Sequence, residues 1–178
     1  MHTVAMATTY PFTTSYLEDA QNMLHKHKER AEAAMAQLSD EQFFITLDPE
    51  MNSIALIVKH MAGNMRSRFT DFFTTDGEKA ERNRDEEFLS PPATRAEVMA
   101  LWDSGWRLLF SVVEPLTDAD MGRTVFIYGQ PHSVMQAIHQ QLCHYCLHVG
   151  QIIFLAKLLR TEQWQSVSIP RNREASSS

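Results

Sequence analysis

The sequence is poor in glycine, in cysteine and in long apolar runs, and each scarcity excludes a class of protein. Six glycines in 178 residues, with few alternating β-branched stretches, favour helices over strands. Two cysteines are too few for a disulfide framework. The longest apolar runs, "IALIV" and "IIFLA", are about four times too short to cross a bilayer. We therefore expect no membrane partner.

Basic residues are also scarce, and they are interleaved with acidic ones. The chain has 16 Lys and Arg against 22 Asp and Glu, which gives a formal net charge of −6. Phosphate binding needs clustered Lys and Arg, so we expect no nucleic-acid partner. The first sixteen residues lack the charged leader and apolar stretch of a secretory signal. We expect a soluble, cytoplasmic protein whose cysteines stay reduced.

Helical periodicity is what the sequence does contain. Apolar residues make up 44% of the chain, enough for one substantial core, and we predict a single domain over residues 1–170 with a disordered tail at 171–178. Apolar side chains recur three or four residues apart in four segments. The predicted helices cover residues 15–38, 52–73, 94–113 and 133–160, and Thr94 with Glu97 forms a capping box. The stretch "TVFIYGQPHS", residues 124–133, predicts a short extended piece with a turn.

The link between the second and third helices is long and highly charged. It reads "DGEKAERNRDEEFLSPPA", residues 76–93, and it closes on two prolines. Four long helices with one such link predict an all-α fold, a four-helix bundle with a crossover connection. Links of this length are often functional, although a solvated surface loop accounts for the composition equally well.

Residues 142–151, "LCHYCLHVGQ", place Cys143, His144, Cys146 and His148 within six positions. A covalent haem motif is excluded because Leu147 stands where its histidine must be. On a helix each residue turns about 100°, so His148 lies about 40° from His144, whereas the two cysteines lie about 100° and 160° away. The thiols and imidazoles therefore cannot converge on one ion, and we expect the cysteines to pack as small apolar groups or to lie at a subunit contact.

Two imidazoles at i and i+4 can bind one metal ion from one helix face. His60, midway along the second helix among inward-facing apolar residues, is the candidate third ligand. Such a pair also arises by chance, so the spacing alone does not establish a site. A di-iron bundle needs Glu-x-x-His on two helices, and no glutamate in this chain has a histidine three residues later.

Two long stretches resemble a known family. "SIALIVKHMAGNMRSRFTDFFTTDGEKAERNRDEEF", residues 53–88, and "HYCLHVGQIIFLAK", residues 144–157, strongly resemble the DinB-like superfamily, in particular its small bacterial proteins of unknown function. The resemblance implies an up-down-down-up bundle, often dimeric, with a divalent metal ion held by His60, His144 and His148. Cys146 replaces the apolar or small residue that is usual in the family.

The resemblance also implies candidate functions. Relatives of this fold include thiol S-transferases, which use a low-molecular-weight thiol and a small electrophile, and metal-dependent hydrolases. We predict a metal-dependent enzyme of one of these kinds; the alternative is a non-catalytic metal-binding stress-response or interaction protein. Imidazole ligands favour zinc or nickel, with iron and manganese also compatible. The substrate is not predicted.

Polar neighbours of the three histidines complete the predicted site. Asn64, Gln140 and Gln151 lie about one turn from a histidine and can orient ligands or bind substrate, or can serve as ordinary polar packing. Six charged residues match the family motif and predict an ion-pair network beside the site: Arg66, Arg68, Asp76, Arg82, Asp85 and Glu87. The fourth helix also carries more apolar residues than one core face requires, which predicts a homodimer; these residues are Ile138, Leu142, Cys146, Val149, Ile153 and Leu159.

Overall fold

Four helices dominate the fold. A computed structural model describes residues 11–169, so the predicted tail at 171–178 lies outside the described residues. The helices are α1 (Tyr16–Met35), α2 (Ile54–Phe69), α3 (Arg95–Val113) and α4 (Val134–Arg160). Each begins after a Ser or Thr whose side chain accepts a backbone N–H of the first turn. Thr94 forms the predicted capping box with Glu97.

Contacts between the helices give their relative directions. The Tyr16 ring lies 6.3 Å from that of His139, and Gln37 bonds to Gln165 beyond the other end of α4, so α1 and α4 run the same way. Arg95 at the start of α3 reaches the end of α1, so α3 runs against α1. Helix α2 runs against α4, because Asn64 contacts Tyr145 while His60 contacts His144 and His148. One pair of helices therefore runs up and the other runs down.

A small β-hairpin precedes α4, which corrects the all-α prediction. Strands β1 (Thr124–Ile127) and β2 (Gln130–Ser133) pair antiparallel where the sequence predicts an extended piece with a turn. The turn residues Tyr128 and Gly129 both have positive φ, as tight two-residue hairpins require. The Asp76 carboxylate accepts the N–H groups of both residues, at 2.9 and 2.6 Å, and so joins the end of the α2 region to this turn.

The charged connection is only partly a solvated loop. Helix α2 ends at Phe69, four residues earlier than predicted, and Asp71 has a positive φ of 49° in the turn that follows. Within the connection a short 3-10 helix covers Asp85–Phe88 and packs against α2. Glu87 in that turn is buried, whereas its neighbours Asp85 and Glu86 are exposed.

One hydrophobic core joins the four helices, with Trp102, Trp106 and Tyr145 among its fully buried side chains. By length and composition alone the stretch Val134–Gln163, in the part of the chain that the structure describes, would also suffice to cross a membrane. Only 28% of its most apolar window is buried, so much of α4 faces outward. A core helix of a soluble protein meets the same criterion, and the cytoplasmic location stays a prediction.

Candidate metal centre

The crossing of α2 and α4 brings the three predicted histidines together. Tyr145 donates its hydroxyl to the Asn64 side-chain oxygen across this crossing, at 2.9 Å, and both residues are buried. His60 lies one turn before Asn64, and it meets His144 and His148 on either side of Tyr145. This arrangement requires α2 and α4 to run in opposite directions.

The three imidazoles turn the same nitrogen toward a common point. The Nε2 atoms of His60 and His144 are 3.2 Å apart, and those of His148 and His144 are 3.0 Å apart. Each histidine offers one ligand atom, and these atoms all lie within 4.8 Å of one another. Two nitrogens that each lie about 2 Å from one ion are separated by roughly 3 Å, so the spacing fits a shared metal ion.

The opposite nitrogens fix the tautomers of two rings. His60 Nδ1 lies 2.8 Å from Glu87 Oε2, and an ionised carboxylate only accepts hydrogen bonds, so His60 carries its proton on Nδ1. His148 Nδ1 lies 2.9 Å from Gln151 Oε1, which is also an acceptor. The Nε2 atoms of His60 and His148 are then unprotonated, and each presents a free lone pair. His144 Nε2 can donate at most one proton, so one of the two other Nε2 atoms is left without a donor. A cation at the common point can accept the lone pairs of all three nitrogens.

Burial keeps two of the rings neutral, the form that binds metals. Burial, together with the neighbouring His148 and His60, lowers the pKa of His144 to about 3. Burial also lowers the pKa of His148, although the hydrogen bond with Gln151 opposes that shift. His144 Nδ1 is buried and has no hydrogen-bond partner among residues 11–169.

Arg82 and the absence of a side chain at Gly63 together position Glu87. Arg82 donates from Nε and Nη2 to the two Glu87 oxygens, each at 2.8 Å, a bidentate pair in a buried environment. Burial alone would raise the pKa of Glu87, but the hydrogen bonds with His60 and Arg82 outweigh it and the pKa is lowered. A Cβ on Gly63 would lie 2.2 Å from Glu87 Oε1, so only glycine leaves room for this carboxylate.

The predicted charged network exists in part. It runs from Glu87 through Arg82 to Glu78, which also pairs with Arg68 at 2.5 Å. Arg68 continues to the Gly77 carbonyl, next to Asp76 and the hairpin turn. The sequence did not predict the role of Glu78. Its i,i+4 spacing to Arg82 brings the two side chains together only in a helical turn, and the connection shows no helical periodicity.

Two of the predicted network residues stand apart from it. Arg66 and Asp85 are exposed and form no ion pair within residues 11–169. Phe88, which sequence reasoning also missed, stacks on His60 with ring centroids 4.4 Å apart. Phe88 is half-buried, and its ring covers one face of the His60 imidazole.

The remaining predicted neighbours divide clearly. Gln151 contacts His148 and Asn64 fixes the helix crossing, whereas Gln140 is exposed and makes no hydrogen bond in the described part of the chain. Cys143 and Cys146 are both exposed, so they do not pack as small apolar groups in the core, and the alternative expectation of a subunit contact stays a prediction. The apolar residues of α4 that fill the core lie on the opposite side of the helix.

Comparison with known proteins gives a family and no function. The model of DUF1572, described as a protein of unknown function, matches residues 11–173. A search of curated proteins finds no match to the chain.

Proposed function

Since the chain belongs to DUF1572, a family of proteins of unknown function, we propose its function from the site: it binds one divalent metal ion through His60, His144 and His148 and uses it in catalysis. The observation that carries the proposal is the convergence of three Nε2 atoms whose two fixed tautomers leave bare lone pairs. The resemblance to the DinB-like superfamily, with its up-down-down-up bundle and three-histidine site, supports it.

Residues behind the ligands support a metal centre as well. Metal-binding histidines commonly donate their other N–H to a carboxylate or carbonyl, and Glu87 and Gln151 accept in this way from His60 and His148. Three imidazoles suit zinc or nickel best among common divalent ions, and iron or manganese are also compatible.

The number of protein ligands favours an enzyme. Three protein ligands leave at least one coordination position free, as in catalytic rather than structural metal sites. An ion held by His60, His144 and His148 would supply Lewis-acid chemistry, which lowers the pKa of a water or thiol toward neutral pH. The chain itself contributes neutral imidazoles, the Glu87 carboxylate that holds His60, and Phe88, whose ring covers one face of the His60 imidazole.

Thiol transfer is the reaction we propose first, and hydrolysis second. The basis is the resemblance to thiol S-transferases, which join a low-molecular-weight thiol to a small electrophile. A conjugation assay should show consumption of thiol that depends on added metal, with loss of activity in His148→Ala. A metal-loaded protein that turns over neither thiol conjugates nor ester substrates would instead indicate the non-catalytic alternative.

The metal itself is tested by three single substitutions. Protein purified without chelator should carry about one divalent ion per chain, and His60→Ala, His144→Ala and His148→Ala should each lose most of it because two imidazoles seldom hold an ion alone. His139→Ala, on the exposed face of α4, is the matched control and should keep full occupancy. Elemental analysis measures the content, and full occupancy in any of the three variants would remove that residue from the site.

A further inference from the structure

A cleft lies next to the Glu87–Arg82 pair that supports His60. Its volume is about 460 Å³, within the range of small-molecule sites. Helix α2, helix α3 and the charged connection form its walls, and none of the three histidines lines it. A molecule in this cleft would therefore lie beside the residues that support His60, without contacting the three histidines.

Small residues let α2 and α3 approach closely under the cleft. Ala62, Gly63 and Gly105 lie in its wall, and a Cβ on Gly105 would come within 3.2 Å of the Ala62 Cα atom. The two helices are thus already in close contact along this line. Leu101 and Leu108 add aliphatic surface from α3.

Charges of both signs surround the cleft without pairing with one another. Arg66 is exposed and has no ion pair in residues 11–169, and the Lys59 ammonium bonds to the backbone oxygens of Glu86 and Ser90, at 2.5 and 2.7 Å, rather than to a carboxylate. Glu81 and Glu86 also line the cleft, and their carboxylates form no ion pair in that part of the chain. Arg82 and Glu87, in contrast, are paired with each other.

From this arrangement we propose that the cleft binds a small zwitterion with an aliphatic body, such as a short apolar peptide. Its carboxylate meets the Arg66 guanidinium, which can bind a carboxylate through two parallel hydrogen bonds. Its ammonium meets Glu81 or Glu86, and its aliphatic part covers Leu101 and Leu108. The site needs no metal ion.

The probe is the dipeptide leucyl-leucine, titrated into the full chain by calorimetry. It should bind about tenfold more tightly than its N-acetylated form, which lacks the ammonium, or its C-terminal amide, which lacks the carboxylate. Arg66→Ala should weaken dipeptide binding about tenfold and leave binding of the amide unchanged, because only the free carboxylate contacts the guanidinium. Arg107→Ala, exposed on α3 outside the cleft, should bind as the wild type does.

Two serines of α3 provide a matched pair that tests the location. Ser104 lines the cleft and Ser111 does not, yet both are exposed and both donate to the carbonyl three residues earlier. Ser104→Phe should abolish binding by filling the space, and Ser111→Phe should preserve it, with circular dichroism confirming the fold of each. No saturable binding to the wild type, equal binding of the three probes, or equal behaviour within either variant pair would overturn the proposal.

Discussion

The orientation of His60 depends on a single carboxylate. Glu87 Oε2 accepts from His60 Nδ1 and from Arg82 Nη2, both at 2.8 Å, so one oxygen fixes the tautomer of the ligand and the position of the arginine. Loss of such a carboxylate behind a metal-binding histidine typically lowers metal affinity 10- to 100-fold. Glu87 therefore matters to the site although it touches none of the converging nitrogens.

We predict that Glu87→Gln lowers metal affinity about tenfold or more and leaves the fold intact. Glutamine keeps the shape and one acceptor, but its amide cannot accept from both His60 and the two Arg82 donors. Metal affinity measured by competition with a chelator provides the test. Glu86→Gln, the exposed neighbour, is the control and should match the wild type; equal affinities in the two variants would mean that Glu87 does not position His60.

The cysteines should be bystanders of the metal site. Both thiols are exposed, and Cys143 Sγ lies nearest to His139 Nε2, at 3.7 Å, rather than to a predicted ligand. The double change Cys143→Ser and Cys146→Ser should keep the metal content and shift the free energy of unfolding by less than about 0.5 kcal/mol. Elemental analysis and urea unfolding measure the two quantities. Loss of metal from this folded variant would require a thiolate ligand in place of an imidazole.

Side-chain spacing predicted the histidine cluster better than the residues that support it. His144 and His148 share a helix face, so one angle per residue suffices to place them, and His60 follows from facing helices. Glu87 and Glu78 lie in a segment without periodicity, where only the folded path of the chain brings them to His60 and Arg82. The sequence motif singled out Glu87 but gave no reason to prefer it to Asp85, which is exposed.

Helix boundaries show the same division between local and tertiary control. The start of each helix agrees with prediction because a Ser or Thr cap acts within its own first turn. The end of α2 was predicted four residues late, since Phe72 and Phe73 continue the apolar pattern. These rings pack in the turn beyond Phe69, where the chain bends at Asp71 toward the hairpin.

The end of α1 is held from another helix. The Arg95 guanidinium at the start of α3 donates to the backbone oxygens of Leu38 and Met35, at 2.7 and 3.1 Å, and lies 4.4 Å from the centre of the Phe43 ring. The Met35 oxygen also accepts the Leu38 N–H, and Leu38 lies beyond α1, so the guanidinium caps the turn that follows the helix. It also ties the two helices together at one end of the bundle.

We predict that Arg95→Ala lowers the free energy of unfolding by about 1–3 kcal/mol, the range for hydrogen bonds from a charged donor. Lysine has one point of charge and no planar fork, so Arg95→Lys should recover only part of the loss. Urea unfolding measures both. Arg107→Ala, exposed on the same helix, should change stability by less than about 0.5 kcal/mol, and an equal effect of the two alanine variants would refute the role of Arg95.

The bundle as a whole leaves one face of α4 uncovered. Five residues spaced three or four apart form an exposed stripe, here called the α4 stripe: Cys143, Leu147, Gly150, Phe154 and Leu158. Leu147 and Phe154 are 69% and 63% exposed, so two large apolar side chains of this stripe face solvent. A Cβ on Gly150 would meet nothing within 4 Å, so another helix can approach closely there.

The α4 stripe differs from the surface expected from sequence. Of the six apolar residues that predicted an interface, Ile138 and Val149 lie in the core, Leu142, Ile153 and Leu159 pack against it, and Cys146 is exposed. Their number reflects the two helices that α4 must contact, α1 and α2, rather than a partner. The expectation of a homodimer therefore rests on the α4 stripe and no longer on the six residues that first suggested it.

We propose that two copies pair through the α4 stripe, because its spacing of four and three residues is that of a two-helix seam. In a symmetric dimer each substitution counts twice, and burial of one large apolar side chain contributes about 1.5–3 kcal/mol. Phe154→Lys should therefore weaken the dimer by about 3 kcal/mol or more and give a monomer at micromolar concentration, as measured by light scattering after gel filtration. Met135→Lys, equally a part of exposed α4 but off the stripe, should remain dimeric. A wild-type chain that runs as a monomer at micromolar concentration would exclude the dimer, and a dimer that survives Phe154→Lys would place the interface elsewhere on the bundle.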